Sequence, residues 1–322
     1  MTGQGAVETT HPLALGVVGS NGGTPETRAV VAAADLVFFV SCRAGSVTTE
    51  RWRHPAPGAT KIVHIDSDPA VIGAIYAPDA AVLGDARLAL SALADILSKD
   101  GGRGRGAEIR QRIAALKEEK FAAFRALAES AETPIRPERV VATLQDLLPE
   151  DAIVVADPGT PCPYFSAYFE QRRAGRHFIS NRAHGALGFA LAGAVGAHYG
   201  RPDAACVAVM GDGSFGMAVG ELETVKRLGV PATCVVISNS VFGWIKAGQK
   251  SGYDERYFSV DFSRTDHAAV AAAYGVKSWR VEDPAELKSA LKQAIAHDGP
   301  SLVDVICQPL QEARAPVSEW VA

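Results

Sequence analysis

The sequence predicts an α/β protein with two doubly wound domains, each built on a parallel sheet. Short apolar runs alternate with amphipathic segments along most of the 322-residue chain. Near-continuous apolar strands that are separated by helices are typical of parallel sheets covered on both faces. The glycine- and arginine-rich stretch GGRGRG, residues 101–106, interrupts this alternation. A chain of this length suffices for two domains, so we expect the interruption to lie between them.

The first predicted domain covers residues 1–98. Its predicted helix and two buried strands are, in chain order, residues 25–34, 35–41 and 60–66. Asp68-Pro69 predicts a further helix because proline is favoured in a first turn. Asp85 is the predicted cap of a last helix, whose apolar residues recur with a period close to 3.6. Residues 99–134 are predicted to form a linker that contains one charged amphipathic helix.

The second predicted domain covers residues 135–310, and residues 311–322 are predicted as a C-terminal tail. Its predicted helices are residues 137–148, 184–200, 221–229, 266–275 and 285–295. The predicted strands between them are residues 152–157, 205–211, 232–238, 276–281 and 301–307. These strands are almost entirely apolar, which favours a mostly parallel sheet.

Composition excludes several classes of function. The net charge is −4 and charged residues make up 21% of the chain, so the basic surface that nucleic-acid binding requires is absent. No apolar run reaches about 18 residues and the N-terminus has no signal-peptide pattern, so we expect a cytoplasmic protein that does not bind membranes. The cysteines form no C-x-x-C pair, which argues against a zinc site or a disulfide framework. We expect most of them to be small core residues. Cys206, Cys234 and Cys307 lie in apolar runs, and Cys162 is expected in a loop.

Three predicted strands of the second domain end in polar residues. The three strand ends are residues 157–160, 211–215 and 238–243. Ligands of open parallel sheets bind beyond the carboxyl ends of the strands. In the middle strand end, glycines flank Asp212 and allow a phosphate to approach the backbone, where a helix N-terminus offers free N–H groups. The aspartate would repel a phosphate unless a cation lay between them.

A magnesium ion held by Asp212 resolves this conflict, because Mg²⁺ is usually bound by one or two protein oxygens together with substrate phosphates. Asn239 follows the neighbouring strand 27 residues later and is the predicted second ligand, and a backbone carbonyl near Val241 is a third candidate. The alternative is that Gly-Asp-Gly is only a tight turn and Asn239 a turn residue.

The full spacing of this stretch resembles the cofactor-binding signature of thiamine-diphosphate-dependent enzymes. Upstream, SNRAHGALGFALAGAVGA is similar to the helix start of that family, and downstream VFGWIKAGQK is similar to its loop after the metal ligand. In the first domain, HPLALGVVGSNGG, ADLVFFVSCRAG and KIVHIDSDPAVIG resemble the central, nucleotide-binding-like domain of the acetolactate-synthase-like branch. The resemblance covers roughly residues 11–309.

The resemblance implies thiamine diphosphate and Mg²⁺ as cofactors. The implied metal ligands are Asp212, Asn239 and the Val241 carbonyl. Gly185 would accept a hydrogen bond from the aminopyrimidine, and Leu187 would hold the cofactor in its bent form. The other residues that the resemblance places around the cofactor are Gly159, Thr160, Gly213, Ser214, Phe215, Phe242 and Gly243.

Three residues are candidates for the chemistry itself. His184 would face the thiazolium as an acid or base, or else cap or pack against a helix. Trp244 and Gln249 are candidates for the substrate pocket, and packing is the alternative for Trp244. Gly248 stands where several acetolactate synthases carry a tryptophan, which argues against the standard choice of pyruvate and 2-ketobutyrate. Ser238 replaces the first asparagine of a common Asn-Asn pair.

The implied reaction is the decarboxylation of a 2-oxo acid and transfer of the resulting carbanion to an acceptor, as in acetolactate synthase. Simple decarboxylation and a non-catalytic regulatory relative are the alternatives, and the intact Asp212 and Asn239 argue against the second. A nicotinamide dehydrogenase is disfavoured because no Gly-x-Gly-x-x-Gly follows a first strand.

The family's pyrimidine-binding domain, which supplies the glutamate that activates the cofactor, has no counterpart in the matched residues. We therefore expect a split enzyme whose second subunit carries that domain in an α₂β₂-like hetero-oligomer, a truncated fragment being the alternative. The resemblance also admits FAD or ADP near residues 19–23 and 66–68. The flavin-binding Arg-Phe-Asp-Asp-Arg type of segment is replaced by CRAGS, residues 42–46, which counts against FAD.

Overall fold

The computed structural model describes residues 3–99, 106–182, 184–309, 312–313 and 315–317. Within them the predicted α/β class is confirmed, with two separate sheets of parallel strands. Residues 100–105 of the predicted linker and most of the predicted tail lie outside the described residues. No helix in the described ranges is long and apolar enough to cross a membrane.

The first sheet has the strand order β1-β2-β3 and is parallel throughout. Its elements are α1 (Pro25–Ala32), β1 (Leu36–Val40), β2 (Lys61–Asp66), β3 (Ala80–Leu83) and α2 (Ala86–Lys99). The predicted cap of α2 is present, since Asp85 Oδ1 accepts a hydrogen bond from the Leu88 N–H at 3.0 Å. The core of this domain is small and centres on Phe39, Ile62 and Tyr76.

Two expectations for this domain were wrong. Residues 69–76 form turns and not a helix. The carboxylates of Asp66 and Asp68 each accept from the N–H two residues on, at 2.9 Å, and such local bonds compete with helix formation. The strand β3 was not predicted, because its four residues are exposed and too few for a clear pattern.

The linker helix is α3 (Gly106–Ala128), which packs against α4 (Pro137–Leu147). Aromatic stacking joins it to the second domain, since the rings of Phe124 and Tyr168 lie 4.5 Å apart. The charged helix predicted for this stretch is therefore confirmed, and it contributes to the core of the second domain.

The second sheet has the order β5-β4-β6-β7-β9-β8, and every pairing in it is parallel. Its strands are β4 (Ile153–Ala156), β5 (Phe178–Ile179), β6 (Cys206–Gly211), β7 (Ala232–Ser238), β8 (Lys277–Val281) and β9 (Ser301–Ile306). The remaining helices are α5 (Pro161–Tyr168), α6 (Phe189–Gly200), α7 (Asp212–Ala218), α8 (Glu221–Leu228), α9 (Gly243–Gly252), α10 (His267–Ala273) and α11 (Leu287–Ile295). An apolar core lies on each face of the sheet.

The elements that sequence patterns missed here are α5, β5, α7 and α9. Three glycines in α9 lower the intrinsic helix propensity of that segment. The prolines of α5 lie in its first turn, where proline is tolerated, but the helix is short and buried nearly all round, so it shows no amphipathic pattern. Cys162 consequently lies in a helix and is buried, instead of in a loop. Helix α6 begins at Phe189 and not at residue 184, since Gly188 before it has a φ of 87°, which is outside the helical region.

Candidate functional site

A cleft of about 230 Å³ opens at the carboxyl ends of β4, β6 and β7, and we call it the strand-end cleft. The predicted site residues among its lining are Gly159, Thr160, Gly185, Leu187, Asp212, Gly213, Ser214, Val241, Phe242, Gly243 and Trp244. The three strand ends that the sequence singled out therefore meet at one place, as expected for parallel strands.

Asp212 is the buried carboxylate of this cleft, with 4% of its surface exposed. Its Oδ2 accepts from the N–H groups of Asn239 at 2.8 Å and Ser240 at 2.6 Å, and its Oδ1 accepts from the Gly213 N–H at 2.8 Å. Burial raises the pKa of Asp212, and the three N–H groups act against that rise. A carboxylate oxygen has two lone pairs, so Oδ1 keeps one for a further partner.

The loop after β7 brings Asn239 to the same carboxylate. Ser240 has a φ of 57°, and this left-handed conformation occurs where two consecutive N–H groups, those of Asn239 and Ser240, bond to the one oxygen of Asp212. The Asn239 side-chain oxygen accepts from the Val241 N–H at 3.3 Å. Its Nδ2 is buried and has no hydrogen-bond partner among the described residues.

Asp157 links the starts of two helices beneath the cleft. The sequence had indicated only that it lies at a strand end. It is fully buried and accepts from the N–H groups of Gly188 at 2.9 Å and Ala190 at 2.8 Å, at the start of α6. It also accepts from the hydroxyl of Ser214 at the start of α7. Burial raises the pKa of Asp157, while these hydrogen bonds act in the opposite direction.

A buried polar network anchors the end of β7 immediately before Asn239. The Ser238 hydroxyl donates to Asp304 and lies 3.2 Å from His267 Nδ1, and Arg280 donates to Asp304 at 3.1 Å. Burial alone would raise the pKa of Asp304, but hydrogen bonds from His267 and Ser238 outweigh it and hold that pKa below its usual range. No sequence pattern pointed to this network, because its members are far apart in the chain.

The opposite wall of the cleft carries the residues from the segment before α6. Leu187 is 37% exposed, and its Cδ2 would lie 3.5 Å from a Cβ placed on Gly159.

Gly213 is required for a steric reason, since a Cβ there would come within 2.4 Å of the Phe242 ring. The side chain of Trp244 also lines the cleft, and its indole N–H is buried without a partner in the described part of the chain.

Four predicted residues are not in the lining. Asn239 lies next to it, where its backbone N–H donates to Asp212 at 2.8 Å. His184 is exposed in a turn. Phe215 is fully buried in the core, with its ring 5.4 Å from that of His267 in an edge-to-face contact. Gln249 uses its amide to bind the backbone of Phe258, accepting at 2.9 Å and donating at 3.1 Å.

Two glycines near the nucleotide site expected in the first domain lie where the main chain packs closely. A Cβ on Gly19 would lie 2.2 Å from the Val47 carbonyl, and a Cβ on Gly23 would lie 2.2 Å from the Gly19 carbonyl. Close packing of the main chain therefore requires glycine at both positions, and binding of FAD or ADP near them stays a prediction.

Comparison with known families gives two matches to one family. The C-terminal TPP binding domain of thiamine pyrophosphate enzymes matches residues 157–305, and the central domain of thiamine pyrophosphate enzymes matches residues 1–93. The first match contains the strand-end cleft.

Curated relatives agree with these matches. A probable acetolactate synthase large subunit of Methanococcus aeolicus is 32% identical over 320 residues, which is 96% of this chain and 53% of that protein. The acetolactate synthase large subunit of Parasynechococcus marenigrum is 32% identical over 307 residues, 95% of this chain and 48% of that protein. The isozyme 3 large subunit of Escherichia coli is 32% identical over 92% of this chain and 51% of its own length. The chain thus spans about half the length of the curated relatives it matches.

Proposed function

Because the chain belongs to the thiamine pyrophosphate enzyme family and is related to acetolactate synthase large subunits, we propose that the strand-end cleft binds thiamine diphosphate together with Mg²⁺. The observation that carries this proposal is the contact between the buried Asp212 carboxylate and the loop of Asn239. The carboxylate keeps a free lone pair, and the Asn239 Nδ2 has no partner among the described residues.

The residues present suit a cation that is shared with a diphosphate. Within the described ranges, no cluster of three or more His, Cys, Asp and Glu side chains could hold a metal by itself. Asp212 Oδ1, the Asn239 amide oxygen and the Val241 carbonyl offer hard oxygen ligands, and Mg²⁺ completes its shell with phosphate oxygens and water. The Asn239 side-chain Nδ2 would then donate to a diphosphate oxygen.

Thiamine diphosphate supplies, when bound, the electron sink for breaking and forming bonds next to a carbonyl group. The chain's own residues position it and exclude water. Leu187 and Phe242 present apolar surface to the cleft, and Trp244 presents an N–H that suits a carboxylate or carbonyl oxygen of a substrate. Asp157 holds the starts of α6 and α7 together beneath that surface.

We further propose that the substrate is a 2-oxo acid, which is decarboxylated and transferred to an acceptor, with simple decarboxylation as the second candidate. The relatives are named acetolactate synthases, and these names support transfer to an acceptor over simple decarboxylation. A second subunit would supply the pyrimidine-binding domain and its activating glutamate, and support comes from the family matches, which are to the central and C-terminal domains. The proposal also includes the predicted division of the chain into a first domain (residues 1–98), a linker (99–134), a second domain (135–310) and a tail (311–322).

Calorimetric titration of thiamine diphosphate with Mg²⁺ tests the cofactor site. We expect binding to the unaltered chain, stronger binding with a candidate partner subunit, and loss of binding in Asp212→Ala. Asp146→Ala, at an exposed aspartate on α4, is the matched control and is expected to bind as the unaltered chain does. Binding that survives in Asp212→Ala, or that is absent from the unaltered chain both alone and with the partner, would contradict the proposal.

A further inference from the structure

A second cavity, of about 430 Å³, lies at the other end of α5 from the strand-end cleft. Its walls are the N-terminal segment 3–18, one face of α3, and the end of α5 with residues 169–171. We call it the α3–α5 cavity. It shares no lining residue with the strand-end cleft, so it is a separate site.

The cavity contains a buried cation. Lys120 is only 4% exposed, and its ammonium makes one long hydrogen bond, 3.5 Å to the Leu15 carbonyl, with no ion pair to a described residue. The ammonium lies 5.2 Å from the centre of the Phe121 ring and 5.9 Å from that of Tyr168. An ammonium group has three donors, so two of them have no protein acceptor in the described contacts.

The neighbouring Lys117 is not available in the same way. Its ammonium donates to the carbonyls of Thr9 at 2.8 Å and His11 at 2.9 Å, which fastens the N-terminal segment to α3. Of the two lysines in the cavity wall, Lys120 is therefore the one that offers charge to a ligand. The main chain passes close to it at Gly16, where a Cβ would lie 3.0 Å from the Lys120 ammonium.

A buried acceptor without a donor lines the same cavity. Gln171 is 2% exposed, and its side-chain oxygen has no hydrogen-bond partner among the described residues. Its backbone carbonyl accepts from the N–H and the hydroxyl of Thr9, at 2.9 and 3.1 Å, so the residue is fixed in place. A buried polar atom of this kind is normally satisfied, and a donor that enters the cavity would satisfy it.

The rest of the wall is mainly apolar and includes Leu13, Val17 and Phe169, with Glu170 as a further charged member. We propose that the α3–α5 cavity binds a small 2-amino or 2-hydroxy acid with an apolar side chain. The carboxylate pairs with Lys120, the amino or hydroxyl group donates to Gln171, and the hydrocarbon part lies against the apolar wall. This site is additional to the cofactor cleft and does not depend on it.

Calorimetric titration of the whole chain with four probes tests the proposal. The probes are L-leucine, 2-hydroxy-4-methylpentanoate, 4-methylpentanoate, which lacks the donor, and leucinamide, which lacks the carboxylate. We expect the first two to bind, and each of the others to bind at least about 10-fold more weakly, since each loses one polar contact. Tighter binding of leucine than of the hydroxy acid would identify an amino acid as the ligand, because Glu170 favours an ammonium group.

Two variants assign the contacts. Lys120→Met and Gln171→Leu are each expected to weaken leucine binding at least about 10-fold. Lys288→Met, at a lysine whose side chain is 66% exposed on α11, is the matched control and is expected to change nothing. Thiamine diphosphate binding, measured on the same samples, reports separately on the cofactor cleft. Equal affinity of the unaltered chain and both cavity variants, or no binding of leucine and its hydroxy analogue, would overturn the proposal.

Discussion

The free energy of unfolding should report directly on the buried charge of Lys120. Burial lowers the pKa of this lysine from 10.5 to about 8, and the nearby carboxylates of Glu26 and Glu170 only partly oppose that effect. A difference of this size corresponds to about 3 kcal/mol, by which the folded state disfavours the protonated lysine relative to the unfolded chain. That penalty is fully present below pH 8, where Lys120 is charged in both states.

Replacing the lysine by methionine keeps an unbranched apolar chain and removes the charge. We therefore expect Lys120→Met to raise the free energy of unfolding at pH 7, by up to about 3 kcal/mol. The unfolded state binds the additional proton between pH 8 and 10.5, so the stability contribution of Lys120 should improve as the pH rises through that range. The variant should lack this improvement.

Urea unfolding followed by tryptophan fluorescence at pH 7, 8, 9 and 10 measures both effects. Lys288→Met, whose ion pair with Asp146 is exposed, should differ from the unaltered chain by less than about 1 kcal/mol at each pH. The reasoning fails if Lys120→Met is less stable than the unaltered chain at pH 7, or if the two proteins show the same pH dependence.

Four further substitutions test the strand-end cleft. Gly213→Ala should lower the free energy of unfolding by about 1–3 kcal/mol, because the added methyl group clashes with Phe242. In a double-mutant cycle of urea unfolding, Phe242→Ala should remove this penalty, and additive effects of the two substitutions would contradict the prediction. Asp157→Ala leaves buried N–H groups at the start of α6 unpaired, so the free energy of unfolding should fall by about 2–4 kcal/mol. An unchanged midpoint of thermal unfolding would refute the stabilising role of Asp157. Ser238→Ala removes the hydroxyl that donates to Asp304, so the free energy of unfolding should fall by about 1–3 kcal/mol. Calorimetry should also show weaker binding of thiamine diphosphate, and unchanged affinity would show that the network does not position the cleft.

Local patterns predicted most of the second sheet. The strands at 206–211 and 232–238 were found within one residue, since unbroken apolar runs of that length have few alternatives in a folded chain. Helix α9 was missed because its three glycines argue against a helix and only tertiary packing stabilises it. Helix α5 was missed because it is short and buried nearly all round, so it shows no amphipathic pattern. The turns after Asp66 show the converse, where short-range hydrogen bonds override a helix-start signal.

The sequence by itself determined the α/β class, the family, and the position of Asp212 and Asn239 at neighbouring strand ends, since these depend on periodicity and on spacing along the chain. Only the tertiary structure decided which side chains meet. Asp157 contacts Ser214, Gln249 binds Phe258 instead of lining the cleft, and Lys120, on the charged helix predicted within the linker, is buried. The physical reason is that burial and hydrogen bonding depend on which elements pack against each other, and that information is distributed over distant parts of the chain.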